Sequence, residues 1–178
     1  MSETYPVCFR CALVNPTCCR TDPTHTHACF PLSVAEIERL APHALECGVP
    51  AFQTEENTQA FLNLMRFLFP DRRAELDKAF PLRGQHYRLP LDADGKCMFL
   101  LEDGCSLPRS ARPWYCQLFP VWIRKGFFDR FAPEACLVTH EARSLGEVFE
   151  AVGLTREKAK EMYLALCRDW GLEKYDSE

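Results

Sequence analysis

The chain has 178 residues, 47% of them apolar, with 21 Lys plus Arg against 25 Asp plus Glu and a formal net charge of −4. That length supports one domain with a hydrophobic core, and the acidic balance gives no electrostatic basis for holding nucleic acid or an anionic membrane surface. No stretch approaches the ~18 consecutive apolar residues of a membrane-spanning helix, and MSETYPVCFR lacks the basic residues and apolar run of a secretory signal, so the expectation is a cytoplasmic chain.

The first 32 residues are rich in Cys, Pro, Thr and His and show no helical period. Such a segment is expected to order only around a cross-link, and a metal ion can supply one. SVAEIERLA follows, with Ser33 and Glu36 at capping-box spacing. Val34, Ile37 and Leu40 share a face, and Pro42 is expected to end or bend this helix. Thr54 reads as the cap of a second helix, QAFLNLMRFLF, whose Phe61, Leu62, Met65, Leu68 and Phe69 recur at helical spacing. Asp71 reads as the cap of a short third helix, RRAELDKAF, before Pro81.

From residue 85 to about 132 the pattern turns to strands. DADGKCMFLLEDGCSL holds two Asp-Gly turns around CMFLL, and VWIRKGFFDRF reads as two short strands joined at Lys125-Gly126. Ser144 and Glu147 open another capped helix. Thr155 then caps REKAKEMYLALCRDW, which Gly171 stops. Ala159, Met162, Tyr163, Leu166, Cys167 and Trp170 form its buried face. The expected product is a single α+β domain over residues 1–178, mostly helical, with C-terminal helices within 144–171. A small cysteine-rich region of hairpin and turns is expected to be pinned by metal against the helical core.

Cysteine is the anomaly, with 11 residues. Cytosolic thiols stay reduced, so a cysteine-dense chain with an odd count reads as a metal protein ahead of a disulfide scaffold. Cys167, on the apolar stripe of the last helix, reads as core filler, and Cys47, just before Gly48, as structural. The others stand where ligands usually stand. Cys8 and Cys11 make a C-x-x-C pair, the spacing by which one short segment grips one ion. Cys18 and Cys19 are adjacent, so their side chains diverge. Cys97 and Cys105 each follow an Asp-Gly turn, whose curled backbone presents N–H groups to a thiolate and lowers its pKa. Cys116 closes RPWYC, and Cys136 follows APEA.

His25, His27 and Cys29 in RTDPTHTHACF are candidate extra ligands, with solvated loop histidines as the plainer alternative. Arg112 reads either as a donor to thiolate or backbone beside the site or as a surface ion pair. The aromatic residues of PWYCQLFPVWIRKGFFDRF read as packing around a metal site and not as a base-stacking platform.

CFRCALVNPTCC, LSVAEIERL and CMFLLEDGCSLPRSARPWYCQLFP, in that order, resemble the YkgJ-type cysteine-cluster family, described as zinc- or iron-chelating proteins. The resemblance spans residues 8–136, and the block at 97–120 is its most specific part. The chain departs from the family in the longer gap ALVNPT and in the insertion RTDPTHTHACF. The resemblance implies that Cys8, Cys11, Cys18, Cys19, Cys97, Cys105 and Cys116 are the family cysteines, with Cys136 as an eighth. Eight thiolates suit two four-coordinate ions or one four-iron cluster with ligands to spare, and tetrahedral sulfur sites select zinc or iron–sulfur. The expected function is therefore chelation of zinc, the preferred ion, or iron, in a structural, sensor or trafficking role with no assigned protein partner. The alternative is an iron–sulfur enzyme, because the same block resembles S-adenosylmethionine-dependent lysine methylases, which are much longer. Neither a glycine-rich nucleotide cradle nor an H-E-x-x-H run stands in this sequence.

Overall fold

The structure is a computed structural model and describes residues 7–12, 18–21, 28–102, 104–131 and 136–173, with Cys8, Phe9 and Ala12 described by their backbone alone. Its elements make an α+β fold, mostly helical. The first is a short helix, α1 (Val7–Ala12), in a stretch with no helical period of its own. Tertiary contacts hold it: Val7 is buried in the core, and Arg10 donates twice to the Glu141 carboxylate, at 2.7 and 2.8 Å.

Strand β1 (Pro31–Leu32) leads into helix α2 (Val34–Cys47). The capping box forms: Ser33 Oγ accepts from Glu36 N at 3.2 Å, and Glu36 Oε2 accepts from Ser33 N at 2.8 Å. The helix runs through Pro42 and closes at Gly48, whose φ of 67° lets Val49 N return to Ala44 O at 3.0 Å. Pro42 is tolerated because it lies on the exposed side, where water can satisfy the carbonyl that loses its partner. The buried face is Glu36, Leu40 and Ala44, while Val34 is 62% exposed. Val34 therefore leaves the predicted apolar face.

Thr54 lies in a strand, not at a helix start. Strand β2 (Gln53–Glu56) pairs with β3 (Gln85–Arg88), with Thr54 opposite Tyr87 and Glu55 opposite His86. β1 pairs with the other edge of β3, so the antiparallel order is β1-β3-β2. Thr58 caps the second long helix, α3 (Gln59–Leu68), accepting from Phe61 N at 3.2 Å. Its predicted apolar residues are all buried. Helix α4 (Arg73–Ala79) starts from Arg72 with no side-chain cap, so Asp71 does not cap it.

Strands β4 (Leu100–Leu101) and β5 (Gly104–Cys105) form a small hairpin. A 3-10 turn, Arg109–Ala111, leads to the short helix α5 (Trp114–Leu118). Strands β6 (Val121–Arg124) and β7 (Phe127–Arg130) pair as predicted. Lys125 (φ 51°) and Gly126 (φ 79°) both take positive φ, the demand of a two-residue turn matched to strand twist.

Helices α6 (Leu137–Glu141), α7 (Leu145–Ala151) and α8 (Arg156–Asp169) finish the described chain. Ser144 caps α7, although Glu147 accepts from Arg143 N, one residue before the position that would close a capping box. Thr155 caps α8, and Gly171 (φ 69°) stops it, as read from the sequence.

Apolar burial separates into two clusters. The larger gathers α3, β6 and α8 around Phe61, Phe69, Trp122 and Leu166. The smaller gathers Leu32, Leu40, Leu91, Phe99 and Leu107. Glu36, fully buried, links parts of both: its Oε1 accepts from Trp114 N at 2.8 Å, and its Oε2 from Trp170 Nε1 at 3.0 Å. Among the described residues, no helix is long and apolar enough to cross a membrane.

Candidate metal centre

The first predicted Asp-Gly turn forms around a side chain. Asp92 Oδ1 accepts from Asp94 N and Lys96 N, each at 2.9 Å, and Gly95 takes φ 75°. Residues 19–21 lie against this turn: Cys97 N donates to Cys19 O, and Thr21 N to Gly95 O, both at 2.8 Å. Cys19 and Cys97 therefore become neighbours across most of the sequence between them. The chain then curls so that Phe99 N–H points at the Cys97 thiol, the knuckle geometry expected there. Asp103 of the second Asp-Gly pair lies outside the described residues, but Cys105 is placed by pairing with Leu100.

Helix α1 packs on β5 and on α6, bringing Cys11 toward Cys105 and toward Cys136, the residue that opens α6. Cys8 and Cys11 are one helical turn apart on α1. The Cys8 side chain, His25 and His27 lie outside the described residues.

These placements converge. A cavity of about 140 Å³ lies between the two apolar clusters, and Cys11, Cys18, Cys19, Cys29, Cys97, Cys105, Cys116 and Cys136 all line it. Seven are predicted ligands, and Cys29 is the extra thiol. Leu91, Leu107, Phe30 and Val138 fill out an otherwise apolar wall, and Arg112 is the one formally charged side chain among the described lining residues. Cys97 and Cys136 are buried, Cys18 is exposed, and the other five are half-buried. None of the ten cysteines with a described side chain is in a disulfide. Among the described residues, no three Cys, His, Asp or Glu side chains are drawn tightly enough to close around one ion. The sulfurs ring a space and not yet a point.

Burial disfavours the thiolate at three sulfurs of this ring, Cys29, Cys97 and Cys116. Burial pushes the Cys97 thiol up to about 12, outweighing the Phe99 N–H, with Cys19, Cys105 and Cys29 adding repulsion. The knuckle alone therefore does not lower this pKa as its geometry predicts. Burial also raises Cys116 well above the ordinary thiol range, and Cys19, Cys97, Cys105 and Cys29 push it further. Cys19 moves the opposite way, because the Cys18 thiol donates to it and the Arg112 guanidinium attracts its charge.

Arg112 Nε donates to Leu107 O at 3.0 Å, while its own carbonyl accepts from Gln117 at 2.7 Å. It is a backbone clamp before α5, facing the cavity, and not a surface ion pair. Cys29 is pushed up to about 11 by burial, against the pull of Arg88. Arg88 pairs with Glu55 across β2 and β3 at 2.6 Å. Neither residue stands out in the sequence; only strand alternation, which sets His86 and Arg88 on one face, hints at them.

Cys47 is exposed, with its sulfur 3.6 Å from Ser106 Oγ, and Cys167 is 1% exposed in the larger apolar cluster. Neither lines the cavity. No family model, curated protein or solved structure matches the chain.

Proposed function

We propose that the chain binds zinc or iron through cysteine thiolates at the seam between its two apolar clusters, with zinc the preferred ion. The same reading groups it with the YkgJ-type cysteine-cluster proteins and puts it in the reducing cytoplasm, in keeping with ten described cysteines outside any disulfide. One observation carries the reading: thiols from separated stretches between residues 11 and 136 wall a single cavity.

Divalent cations bound there would stabilise thiolates that burial disfavours; apparent binding free energies of structural zinc reach about 10–16 kcal/mol. The donor set also selects, since soft sulfur favours zinc or iron over magnesium or calcium. Cys11, Cys18, Cys19, Cys97, Cys105, Cys116 and Cys136 would hold the metal, with Cys8 completing the predicted set.

A second reading is an iron–sulfur centre, and with it an enzyme of the kind the lysine methylases represent. The undivided cavity, with more sulfurs than one ion takes up, favours a polynuclear occupant. Anaerobic purification followed by elemental analysis, thiol titration and a visible spectrum tests both. The expected result is a colourless protein with about two zinc ions per chain and most thiols blocked until a chelator is added. A brown sample absorbing near ~400 nm shifts the assignment to iron–sulfur. A metal-free chain with all thiols reactive overturns metal binding.

A further inference from the structure

We infer that the metal is cargo, exchanged with a thiolate-bearing donor or acceptor through the Cys18–Cys19 pair; this rests on the metal-binding reading above. Three observations converge on the pair. Cys18 is the exposed member of the sulfur ring, whereas the other cavity cysteines among the described residues are half-buried or buried. Its Sγ stands 4.0 Å from that of Cys19, close to the ~3.8 Å that separates two thiolates sharing one tetrahedral zinc. Cys19 is joined directly to the interior, since its carbonyl accepts from Cys97 N at 2.8 Å. Exposed Cys18 thus adjoins Cys19, whose backbone is bonded to that of buried Cys97, and all three line the one cavity.

Transfer along it is ligand exchange. A metal–sulfur bond to the carrier breaks as a metal–Sγ bond to Cys18 forms, and the Cys18 proton passes to the released carrier thiolate. Cys19 repeats the exchange with the next carrier ligand. No electron changes hands, and each new bond replaces one lost. A carrier requires a sulfur that a partner can reach, and Cys18 is the exposed member of the ring.

The test loads the full-length chain with zinc and follows delivery to a chromophoric pyridylazo chelator, alongside uptake from a zinc–dithiothreitol complex. Cys18→Ala is expected to slow both rates tenfold or more when each is expressed per bound zinc. Cys47→Ala, which removes an exposed thiol away from the cavity, is expected to change neither rate. Unchanged or faster delivery per bound zinc in Cys18→Ala would overturn the port, faster delivery being the mark of a ligand that only holds the ion. A wild-type chain that takes up no zinc defeats the metal-binding reading itself, and that is seen before any variant is compared.

Discussion

His86 lies in the sheet with 5% of its surface exposed, its ring stacked on Phe61 with centroids 4.0 Å apart. Asn57 Nδ2 donates to Pro81 O at 2.9 Å, so Asn57 Oδ1 accepts from His86 Nδ1, at 2.8 Å. The imidazole is neutral, and burial lowers its pKa from 6.5 to about 4. The unfolded chain therefore takes up the proton first. This contribution to stability is complete above pH 6.5, declines as pH falls toward about 4, and is flat below. Urea unfolding across that window is expected to show a loss on the order of 2 kcal/mol. His86→Phe keeps the ring stack and is expected to flatten the slope; an unchanged slope would remove His86 from the account. At this scale the sequence was readable for residues with one local job, such as Cys167 in an apolar stripe. It was opaque for Asn57 and Arg88, and for Glu36 beyond its capping box, because those partners come from distant strands and helices.

The elements that were legible close on themselves. Helix α8 carries cap, stripe and stop within one stretch, and the β6–β7 hairpin carries its own turn residues. The misreadings fall where a partner decides. Thr54 has a good helix cap's chemistry, but pairing with β3 draws residues 53–56 into a strand and passes the cap to Thr58. Thr58→Ala should then cost about 1 kcal/mol in chemical denaturation, while Thr54→Ala, at an exposed strand position, should stay within about 0.5 kcal/mol. Equal costs would undo this assignment. Pro42 does not end its helix for a related reason: whether a proline breaks a helix depends on whether water reaches the freed carbonyl, which the sequence does not report.

Across the whole molecule, the cysteine set was legible by type and spacing, and the cavity was not, because its walls come from elements far apart in sequence. Helix α1 and the β4–β5 hairpin, tied to the rest by few apolar residues, stand to gain most from a shared ion. Chelator treatment of metal-loaded protein is expected to lower the thermal midpoint by roughly 5–10 °C. Amide exchange should quicken in α1 and β4–β5 while α3 and α8 stay protected. Uniform loss of protection, or no shift, would show that the ion does not fasten this corner.

The carboxylate of Glu36 has a reach beyond its own helix. It grips the first turn of α5, where Cys116 resides, and with its second oxygen the indole of Trp170 behind α8. One sulfur of the ring thus sits on a helix tied, through a single carboxylate, to a tryptophan that never meets the cavity, so the last described helix holds from the rear a wall to which it lends no thiol.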